Sequence, residues 1–317
     1  MHAVGVDIGG TKIAVGVVDD SGRILAKTKR KTQPQDVSSI NEAIADAVAE
    51  LAQDYQFNAV GLAAAGFASS DRHTMLFAPN LAWRDYPLAE KVREAIGRDD
   101  ITVVVENDAN AAGWAEFAYG VATDVSHMVM LTIGTGLGAA IVTDGHMLRG
   151  AFGVAAELGH LRVVPDGEPC GCGQKGCWEQ YASGSALTRE ARKQAAERPA
   201  EAAALIEAAG GDPAAITGPL VTKVAFTGDP FSVGLLADLG RWIGEGCATL
   251  AAVLDPELFV IGGGVVEAGD LVLEPAREAF ESHLSAKGHR PVVPIVAAAM
   301  GNDSGMVGAA ALARAED

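Results

Sequence analysis

Two segments of this chain share a strand–glycine turn–strand pattern. Residues 6–18 read VDIGGTKIAVGVV and residues 131–143 read LTIGTGLGAAIVT. When the two segments are aligned they have four identical pairs: Ile8/Ile133, Gly9/Gly134, Ala14/Ala139 and Val17/Val142. Each copy consists of two apolar runs of strand length joined by a glycine turn. The repeat predicts a fold built from two similar halves that face one cleft.

The rest of the chain alternates strand and helix patterns. Apolar runs of strand length lie at residues 3–8, 13–18, 23–28, 58–66, 101–105, 258–264 and 292–298. Helical periodicity lies at 40–55, 88–96, 185–209, 230–254 and 271–284, with a further helix beginning near Ala109 and a last helix running to the C-terminus. The first three strands predict a meander. The later alternation predicts an α/β fold with mainly parallel connections.

Charge, hydropathy and the opening residues exclude several classes of function. The formal net charge is −17 and no basic run offers a track for a phosphate backbone, so we expect no nucleic-acid partner. Apolar stretches such as residues 59–70 and 291–301 are shorter than the ~18–20 residues of a membrane helix. The opening MHAVGVDIGGTK lacks the features of a secretory leader. We therefore expect a soluble cytoplasmic protein with no membrane partner.

Three glycine turns at strand ends indicate a nucleotide site. They are DIGGTK (7–12), TIGTGLG (132–138) and IGGG (261–264). Glycine allows backbone N–H groups to approach phosphate oxygens closely, while Thr11 adds a hydroxyl and Lys12 a positive charge. For DIGGTK alone, a plain hairpin turn is the alternative. Because none of the turns has the P-loop or dinucleotide-binding spacing, we predict a nucleotide held between two domains by turns of another kind.

A carboxylate follows a buried strand pattern at Asp108. This residue lies in ENDANAAGW (106–114), between an apolar strand and a helix, at the sheet edge where α/β proteins bind ligands. Asp108 has two interpretations: a general base for a substrate hydroxyl, or the N-cap of the helix. A nearby helix N-terminus favours the ionised carboxylate by only about 0.3–1 kcal/mol. The helix would therefore keep such a base charged without making it strong.

Three of the four cysteines lie within eight positions, Cys170, Cys172 and Cys177, in a C-x-C-x4-C pattern, and His160 lies ten residues before the first of them. In a reducing compartment clustered thiols favour a metal over a disulfide. Three thiolates and one imidazole form a closed tetrahedral zinc site, whereas a catalytic zinc keeps one position open. We predict a structural zinc, with a cluster of free thiols as the alternative. Cys247, in a helical pattern, is expected to be a small buried side chain.

Two glutamates lie close to the predicted metal ligands. Glu157 precedes His160 by three residues, which puts both on one face if the segment is helical, and Glu179 follows Cys177 by two. We expect the metal to clamp two chain segments so that the carboxylates converge. Carboxylates accept hydrogen bonds from hydroxyl groups, which suits a polyol ligand. Surface ion pairs are the alternative role for both glutamates.

Taken in order, the motifs DIGGTK, ENDANAA, TIGTGLG, ELGH, CGCGQKGCWEQYASG and IGGG resemble those of the ROK family of sugar kinases and repressors. The resemblance spans essentially the whole chain and looks closest to the family's bacterial glucokinases. Its most specific part is the cysteine motif, and its least specific parts are the glycine turns. The resemblance implies ATP-dependent phosphorylation of the 6-hydroxyl of glucose.

The resemblance also implies a fold and domain boundaries. The fold would be a two-domain, actin-like and ribonuclease-H-like ATPase fold, α/β in class, with an interdomain cleft. Residues 1–112 with 302–317 would form a smaller N-terminal domain closed by the C-terminal helix. Residues 113–301 would form a larger domain carrying the zinc and adenosine sites. Family likeness suggests a homodimer or homotetramer.

By the same resemblance each matching residue receives a role. Asp108 would take the proton from the sugar hydroxyl, and His160 would serve both sugar and zinc. Asp7 would lie by the Mg²⁺ that accompanies ATP. The other sugar contacts would be Gly66, Asn80, Asn107, Glu157 and Glu179. The remaining nucleotide contacts would be Gly9, Gly10, Thr11, Lys12, Gly134, Thr135, Gly136, Gly262, Gly263 and Gly264.

Three alternatives stay open. A transcriptional regulator of the same family would carry an additional N-terminal helix-turn-helix, whereas here the first strand begins by Ala3 and the charge of −17 suits DNA poorly. A non-catalytic, ATP-driven switch of the actin-like class would not need ELGH or the cysteine motif. The third alternative is a kinase for mannose, fructose, allose, N-acetylglucosamine or N-acetylmannosamine, or one that also takes polyphosphate as donor. The sequence does not choose among these sugars.

Overall fold

The computed structural model describes residues 2–315. The strands within them are β1 (Ala3–Ile8), β2 (Lys12–Val18), β3 (Ile24–Lys31), β4 (Ala59–Ala64), β5 (Phe67–Ala68), β6 (Met75–Phe77), β7 (Arg84–Tyr86), β8 (Thr102–Asn107), β9 (Met128–Ile133), β10 (Leu137–Thr143), β11 (His146–Met147), β12 (Leu258–Gly262) and β13 (Ile295–Ala297). The α-helices are α1 (Val37–Leu51), α2 (Leu88–Ile96), α3 (Asp108–Tyr119), α4 (Gly184–Glu197), α5 (Ala203–Ala208), α6 (Gly218–Ala225), α7 (Pro230–Leu254), α8 (Asp270–His283) and α9 (Ser304–Arg314). Among the described residues, none of these helices combines the length and the apolar character needed to cross a membrane.

Two five-stranded sheets have matching strand orders. The first is ordered β3-β2-β1-β4-β8 and the second β11-β10-β9-β12-β13. The repeated sequence segments correspond to β1–β2 and β9–β10, the pairs at equivalent positions of the two sheets. The predicted meander is confirmed, because β2 pairs antiparallel with both β1 and β3. A third sheet, β5-β6-β7, was not predicted, since strands of two or three residues are too short to show an alternating pattern.

The chain divides into two compact units. Unit 1 comprises Met1–Val129, Ala140–Ala156 and Ala299–Asp317, and unit 2 comprises Met130–Ala139 and Glu157–Ala298. Unit 1 holds the first sheet, and unit 2 holds the predicted metal ligands His160, Cys170, Cys172 and Cys177 and the long helix α7.

The first sheet lies between two helix layers. Alternation along β1 directs Val4, Val6 and Ile8 into a core shared with Ile40 and Ile44 of α1. The opposite side of the sheet packs on α9 and α3 through small side chains. Full burial of each Val or Ile contributes about 1.5–3 kcal/mol, so this core holds the sheet edge in a fixed place.

Three boundaries differ from the sequence-based expectations for physical reasons. The helical pattern 185–209 is split between α4 and α5, because Pro199 follows the α4 cap residue Arg198 and disfavours helix there. The apolar run 258–264 is a strand only to Gly262. Helix α1 begins at Val37, capped by Asp36, and ends at Leu51, four residues before the expected end.

Helix α9 approaches the bare backbone of the first sheet. A Cβ added to Gly5 would lie 1.8 Å from the carbonyl oxygen of Met306, and one added to Gly61 would lie 1.9 Å from that of Ala309. Gly308 of α9 makes an equally close approach to α3. Backbone-to-backbone packing of this kind leaves no room for a methyl group, so the position of α9 on the sheet is tightly constrained.

We predict that Gly61→Ala destabilises the protein by about 2 kcal/mol, because the added methyl must displace α9 from the sheet. Gly234→Ala is the matched control: Gly234 lies in α7, is exposed, and a Cβ there would meet nothing within 4 Å. The control should gain about 0.5–1 kcal/mol from helix propensity. Denaturant unfolding of both variants makes the comparison, and a Gly61→Ala protein as stable as the unaltered one would contradict the packing described here.

Candidate functional site

The carboxyl ends of three strands meet at one edge of unit 1. Parallel pairing aligns Ile8 of β1 with Ala64 of β4, and Ala64 with Asn107 of β8. Asp7 and Asp108 therefore lie at the same edge, and their charges interact. The sequence placed both residues at strand ends, and the register brings those ends together.

Asn107 is the cap of helix α3. Its side-chain oxygen accepts hydrogen bonds from the backbone N–H groups of Ala109 at 2.9 Å and Asn110 at 3.0 Å. Its Nδ2 donates to the carbonyl oxygen of Gly66 at 3.0 Å. The alternative interpretation of Asp108 as the N-cap is wrong, because Asp108 is the first residue of the helix and Asn107 fills the capping position. Asp108 is thereby left available for another role.

The surroundings of Asp108 raise the pKa of its carboxyl group. Burial is the main cause, and hydrogen bonds from the backbone N–H groups of Ala109 and of Asp108 itself act in the opposite direction. From the sequence alone, only the helix N-terminus is apparent as an influence on this carboxyl group, and it favours the charged form. In the structure burial outweighs it. Asp108 consequently holds a proton more strongly than an exposed aspartate, which suits a group that accepts one.

Asp7 is the centre of a group of charged side chains. Burial raises its pKa to about 6, with the charges of Asp108 and Asp303 adding to the shift and Lys12 opposing it. A Cβ on Gly305 in α9 would lie only 3.5 Å from the Asp7 carboxyl carbon, so the start of α9 closely approaches this carboxylate. A carboxylate in such surroundings fits an oxygen-seeking divalent cation, which would offset the unfavourable negative charge.

Asp303 was not singled out by the sequence. Its carboxylate pairs with Lys27 Nζ at 2.7 Å, and its charge reaches Asp7. The available signal was an aspartate placed directly before the last helical pattern. Only the close packing of α9 on the sheet shows that this aspartate adjoins the strand ends.

The first glycine turn and the Asn80 loop are neighbours in unit 1. Gly9 donates its N–H to the carbonyl oxygen of Lys12 at 3.0 Å, and residues 10–12 are exposed. A Cβ added to Gly10 would lie 3.9 Å from the Cβ of Asn80. Arg84 donates to the carbonyl oxygens of Ala78 at 2.8 Å and Leu81 at 3.2 Å, which holds the loop that carries Asn80.

Gly66 occupies a conformation that side chains rarely adopt. Its φ is 134°, and an added Cβ would lie 2.1 Å from the carbonyl oxygen of Phe77. Its own carbonyl oxygen is held by Asn107. Gly66, Asn80, Asn107 and Asp108 are thus all placed around the carboxyl edge of the first sheet in unit 1.

Unit 2 brings the four predicted metal ligands together. Sγ of Cys170 is 3.7 Å from Nδ1 of His160, and Sγ of Cys172 is 3.6 Å from Sγ of Cys177. One donor atom from each residue lies within 4.8 Å of the others. Zinc–sulfur bonds of about 2.3 Å give a tetrahedron with edges of about 3.8 Å, so the observed spacings fit such an ion. The two close sulfur atoms are too far apart for a disulfide.

Short turns form the segment that carries the three cysteines of the predicted metal site. Isolated bridges pair Arg162 with Cys177 and Pro169 with Lys175. Between these bridges the N–H of Cys170 donates to the carbonyl oxygen of Gln174 at 2.9 Å. Burial raises the pKa of the Cys170 thiol to about 12, so a metal bound there must displace its proton.

Glu157 and Glu179 converge on His160, as predicted. Oε2 of Glu157 is 4.0 Å from Nε2 of His160, and Oε1 of Glu179 is 3.8 Å from Nδ1. The Cys170 thiol also donates to Oε1 of Glu179 at 3.1 Å. The other oxygen of Glu179 would be 2.9 Å from a Cβ on Gly136. Glu179 therefore lies between the metal-ligand group and the second glycine turn.

The second and third glycine turns lie side by side in unit 2. Gly134 donates its N–H to the carbonyl oxygen of Gly136 at 3.0 Å, and the N–H of Gly184, the first residue of α4, donates to the carbonyl oxygen of Gly134 at 2.8 Å. A Cβ on Gly263 would lie 2.4 Å from the carbonyl oxygen of Ile133. The turn carrying Thr135 is thus bordered by a helix N-terminus, a favourable surrounding for an anion.

Known proteins match the chain along almost its whole length. Residues 3–316 match the ROK family. A glucokinase from Streptomyces coelicolor is 47% identical over 314 residues, which cover 99% of this chain and 98% of that protein. An N-acetylmannosamine kinase from Escherichia fergusonii is 32% identical over 320 residues, with 100% and 99% covered.

A solved structure agrees with these relatives. The ROK family glucokinase from Streptomyces griseus, in complex with glucose and AMPPNP, has a TM-score of 0.87 and 47% identity, covering 99% of this chain and 100% of that chain. The fold is accordingly the actin-like, ribonuclease-H-like ATPase fold. The chain belongs to the ROK family.

The roles of Asn107 and Asp108 can be separated by stability. Asn107→Ala removes the helix cap and should lower the free energy of unfolding by about 1–2 kcal/mol. Asp108→Asn should leave it unchanged or raise it, because the cap remains and a carboxylate whose burial disfavours its charge is removed. Denaturant unfolding at pH 7 measures both. An equal loss in the two variants would show that Asp108 contributes to capping.

Proposed function

We propose that this protein transfers the γ-phosphoryl group of ATP to the 6-hydroxyl of glucose, with Asp108 as the general base. The observation that carries the proposal is the half-buried Asp108 carboxylate, with a raised pKa, at the strand edge that also presents Asp7 and the first glycine turn. Likeness to a glucokinase at 47% identity supports glucose as the sugar.

In the reaction the sugar O6 forms a bond to the γ-phosphorus while the bond from that phosphorus to the β-phosphate oxygen breaks. The O6 proton passes to Asp108. Phosphoryl transfer has a loose transition state, so the hydroxyl need not be ionised early and a carboxylate of moderate basicity is sufficient. Burial of Asp108 favours its protonated form once it has accepted the proton.

In unit 1, Gly66, Asn80 and Asn107 contact the sugar. In unit 2, the carboxylates of Glu157 and Glu179 accept hydrogen bonds from its other hydroxyl groups, and His160 adds a further contact. Carboxylate acceptors suit a ligand that presents several hydroxyl donors. Support comes from the short distances that join these three unit 2 residues.

The nucleotide contacts are assigned to the glycine turns. Gly9, Gly10, Thr11, Lys12, Gly134, Thr135 and Gly136 approach the phosphates, and Gly262, Gly263 and Gly264 approach the adenosine. Asp7 would hold the Mg²⁺ that accompanies ATP and neutralises phosphate charge. The raised pKa of Asp7 supports this assignment, because a nearby cation would favour its ionised form.

His160, Cys170, Cys172 and Cys177 would hold a structural zinc. Four protein donors close the coordination shell, so the ion would fix the two short segments that carry Glu157 and Glu179. Free cysteines in this number also favour the reducing cytoplasm as the place of the reaction. The domain boundaries at 112/113 and 301/302, and a homodimer or homotetramer, stay predictions.

Glucose should be phosphorylated with a higher kcat/KM than mannose, and N-acetylmannosamine should be poor, because carboxylates placed for hydroxyl groups are left unpaired by other sugars. A coupled assay of ATP consumption over a hexose panel measures this. If N-acetylmannosamine is instead preferred by tenfold or more, that result would favour the second candidate function, the one named for the E. fergusonii relative.

Asp108→Asn, with its fold verified by a thermal melt, should lower kcat by about 10²- to 10⁴-fold because the proton acceptor is removed.

Metal analysis should find one zinc per chain in freshly purified protein. Cys172→Ser should lose metal and glucose affinity together, because structural zinc supplies on the order of 10 kcal/mol of local folding energy. Cys247→Ser, a change at a buried cysteine outside the metal-ligand group, is the control and should keep the metal. Full activity in protein shown to contain no zinc would refute this role.

A further inference from the structure

Glu106 is a buried carboxylate directly before the Asn107–Asp108 pair, and its side chain is only 3% exposed. Its Oε1 accepts from Nδ2 of Asn110 at 2.9 Å and from the N–H of Asn107 at 3.2 Å. These two bonds join the carboxylate to the first turn of α3. These hydrogen bonds from Glu106 therefore fix the turn that carries Asp108.

The other oxygen of Glu106 faces two arginines. Arg149 donates from Nε at 2.8 Å, and Nε of Arg72 lies 3.5 Å away. Arg72 is itself fixed in place, because its carbonyl oxygen accepts from the N–H of Val105 at 2.8 Å and its Nη2 donates to the carbonyl oxygen of Leu312 in α9. A buried carboxylate that is charge-paired and hydrogen-bonded on both oxygens makes strong, directional contacts.

Arg149 is the first residue of a loop whose two ends are joined by a backbone hydrogen bond. Its carbonyl oxygen accepts from the N–H of Ala155 at 3.0 Å, and within the loop a Cβ on Gly153 would lie 2.2 Å from the carbonyl oxygen of Ala68. The loop thus packs against the segment that follows Gly66. Two residues after Ala155 the chain reaches Glu157.

We propose that Glu106 and Arg149 are a positioning pair for the phosphoryl transfer, an inference that rests on the proposed function. The pair joins the turn bearing Asn107 and Asp108 to the loop that leads to Glu157. Neither residue is assigned a contact with sugar or nucleotide. Their effect is to hold the turn that bears the base against the Arg149–Ala155 loop within unit 1, and misplacement of a catalytic group by about 1 Å can cost about 10²-fold in rate.

The test compares Arg149→Met and Arg149→Lys with the unaltered protein. Arg149→Met should lower kcat by about tenfold to hundredfold, with little change in the KM for ATP, at a temperature well below its melting transition. Arg149→Lys keeps the positive charge and should stay within about threefold of the unaltered kcat. If Arg149 had only a structural role, Arg149→Met would lower the melting temperature but not kcat, and Arg149→Lys would show no recovery of kcat.

Arg98→Met is the matched control. Arg98 pairs with Asp100 at 2.6 Å before the amino end of β8, and its side chain is 34% exposed against 22% for Arg149. Its kcat should stay within about twofold of the unaltered value. Glu106→Gln removes the negative charge that pairs with Arg149, and its amide has only one oxygen, so it cannot accept from both Arg149 and Asn110. It weakens the same contact as Arg149→Met, so the double variant should be no slower than the slower single one. If Arg149→Met does not fold, Glu106→Gln replaces it with the same expected loss.

A folded Arg149→Met protein with normal kcat, or losses that multiply in the double variant, would overturn the proposal. Each assay uses whichever hexose of the panel the unaltered protein phosphorylates best. A preference for another sugar therefore counts against glucose as the substrate and leaves the test of the pair intact.

Discussion

The parallel register of β1, β4 and β8 is the constraint on which the arrangement of unit 1 depends. It aligns Ile8, Ala64 and Asn107 in one row, so that the residues next to them reach the same edge. Glycines in β1 and β4 then let α9 approach until its first turn adjoins Asp7. The raised pKa of Asp7 follows from this convergence, since burial and neighbouring carboxylates both disfavour its charge.

In unit 2 short turns place the candidate site residues, whereas in unit 1 the ends of strands place them. The metal-ligand group places Glu179 against the second glycine turn, and α4 begins at the same turn. In each unit, carboxylates therefore lie beside a glycine turn. The matching strand orders of the two sheets explain why the same kind of turn recurs in both.

Much of the fold and of the candidate site could be predicted from the sequence, because it depends on local sequence patterns. Strand ends, the three glycine turns and the cysteine spacing are short-range signals. The capping residue was missed because Asn107 and Asp108 are both good caps, and only backbone geometry distinguishes them. The Glu106–Arg149 contact joins residues 43 apart, and nothing near Arg149 in the sequence marks it.

The electrostatics of Asp108 show a second limit. The sequence places the carboxylate at a helix N-terminus, which favours its charged form, but it does not show how deeply the group is buried. In the structure burial dominates and raises the pKa. Burial depends on packing from several elements at once, so it lies beyond any pattern confined to one segment.

The proposed function requires that Asp108 receives the proton of the phosphorylated hydroxyl. A crystal structure of the protein with glucose and a non-hydrolysable ATP analogue tests it most directly. If Asp108 is the general base, the glucose O6 should lie about 2.6–3.2 Å from an Asp108 carboxylate oxygen and face the γ-phosphate. An O6 atom hydrogen-bonded to a different carboxylate, with Asp108 directed away from the sugar, would contradict it.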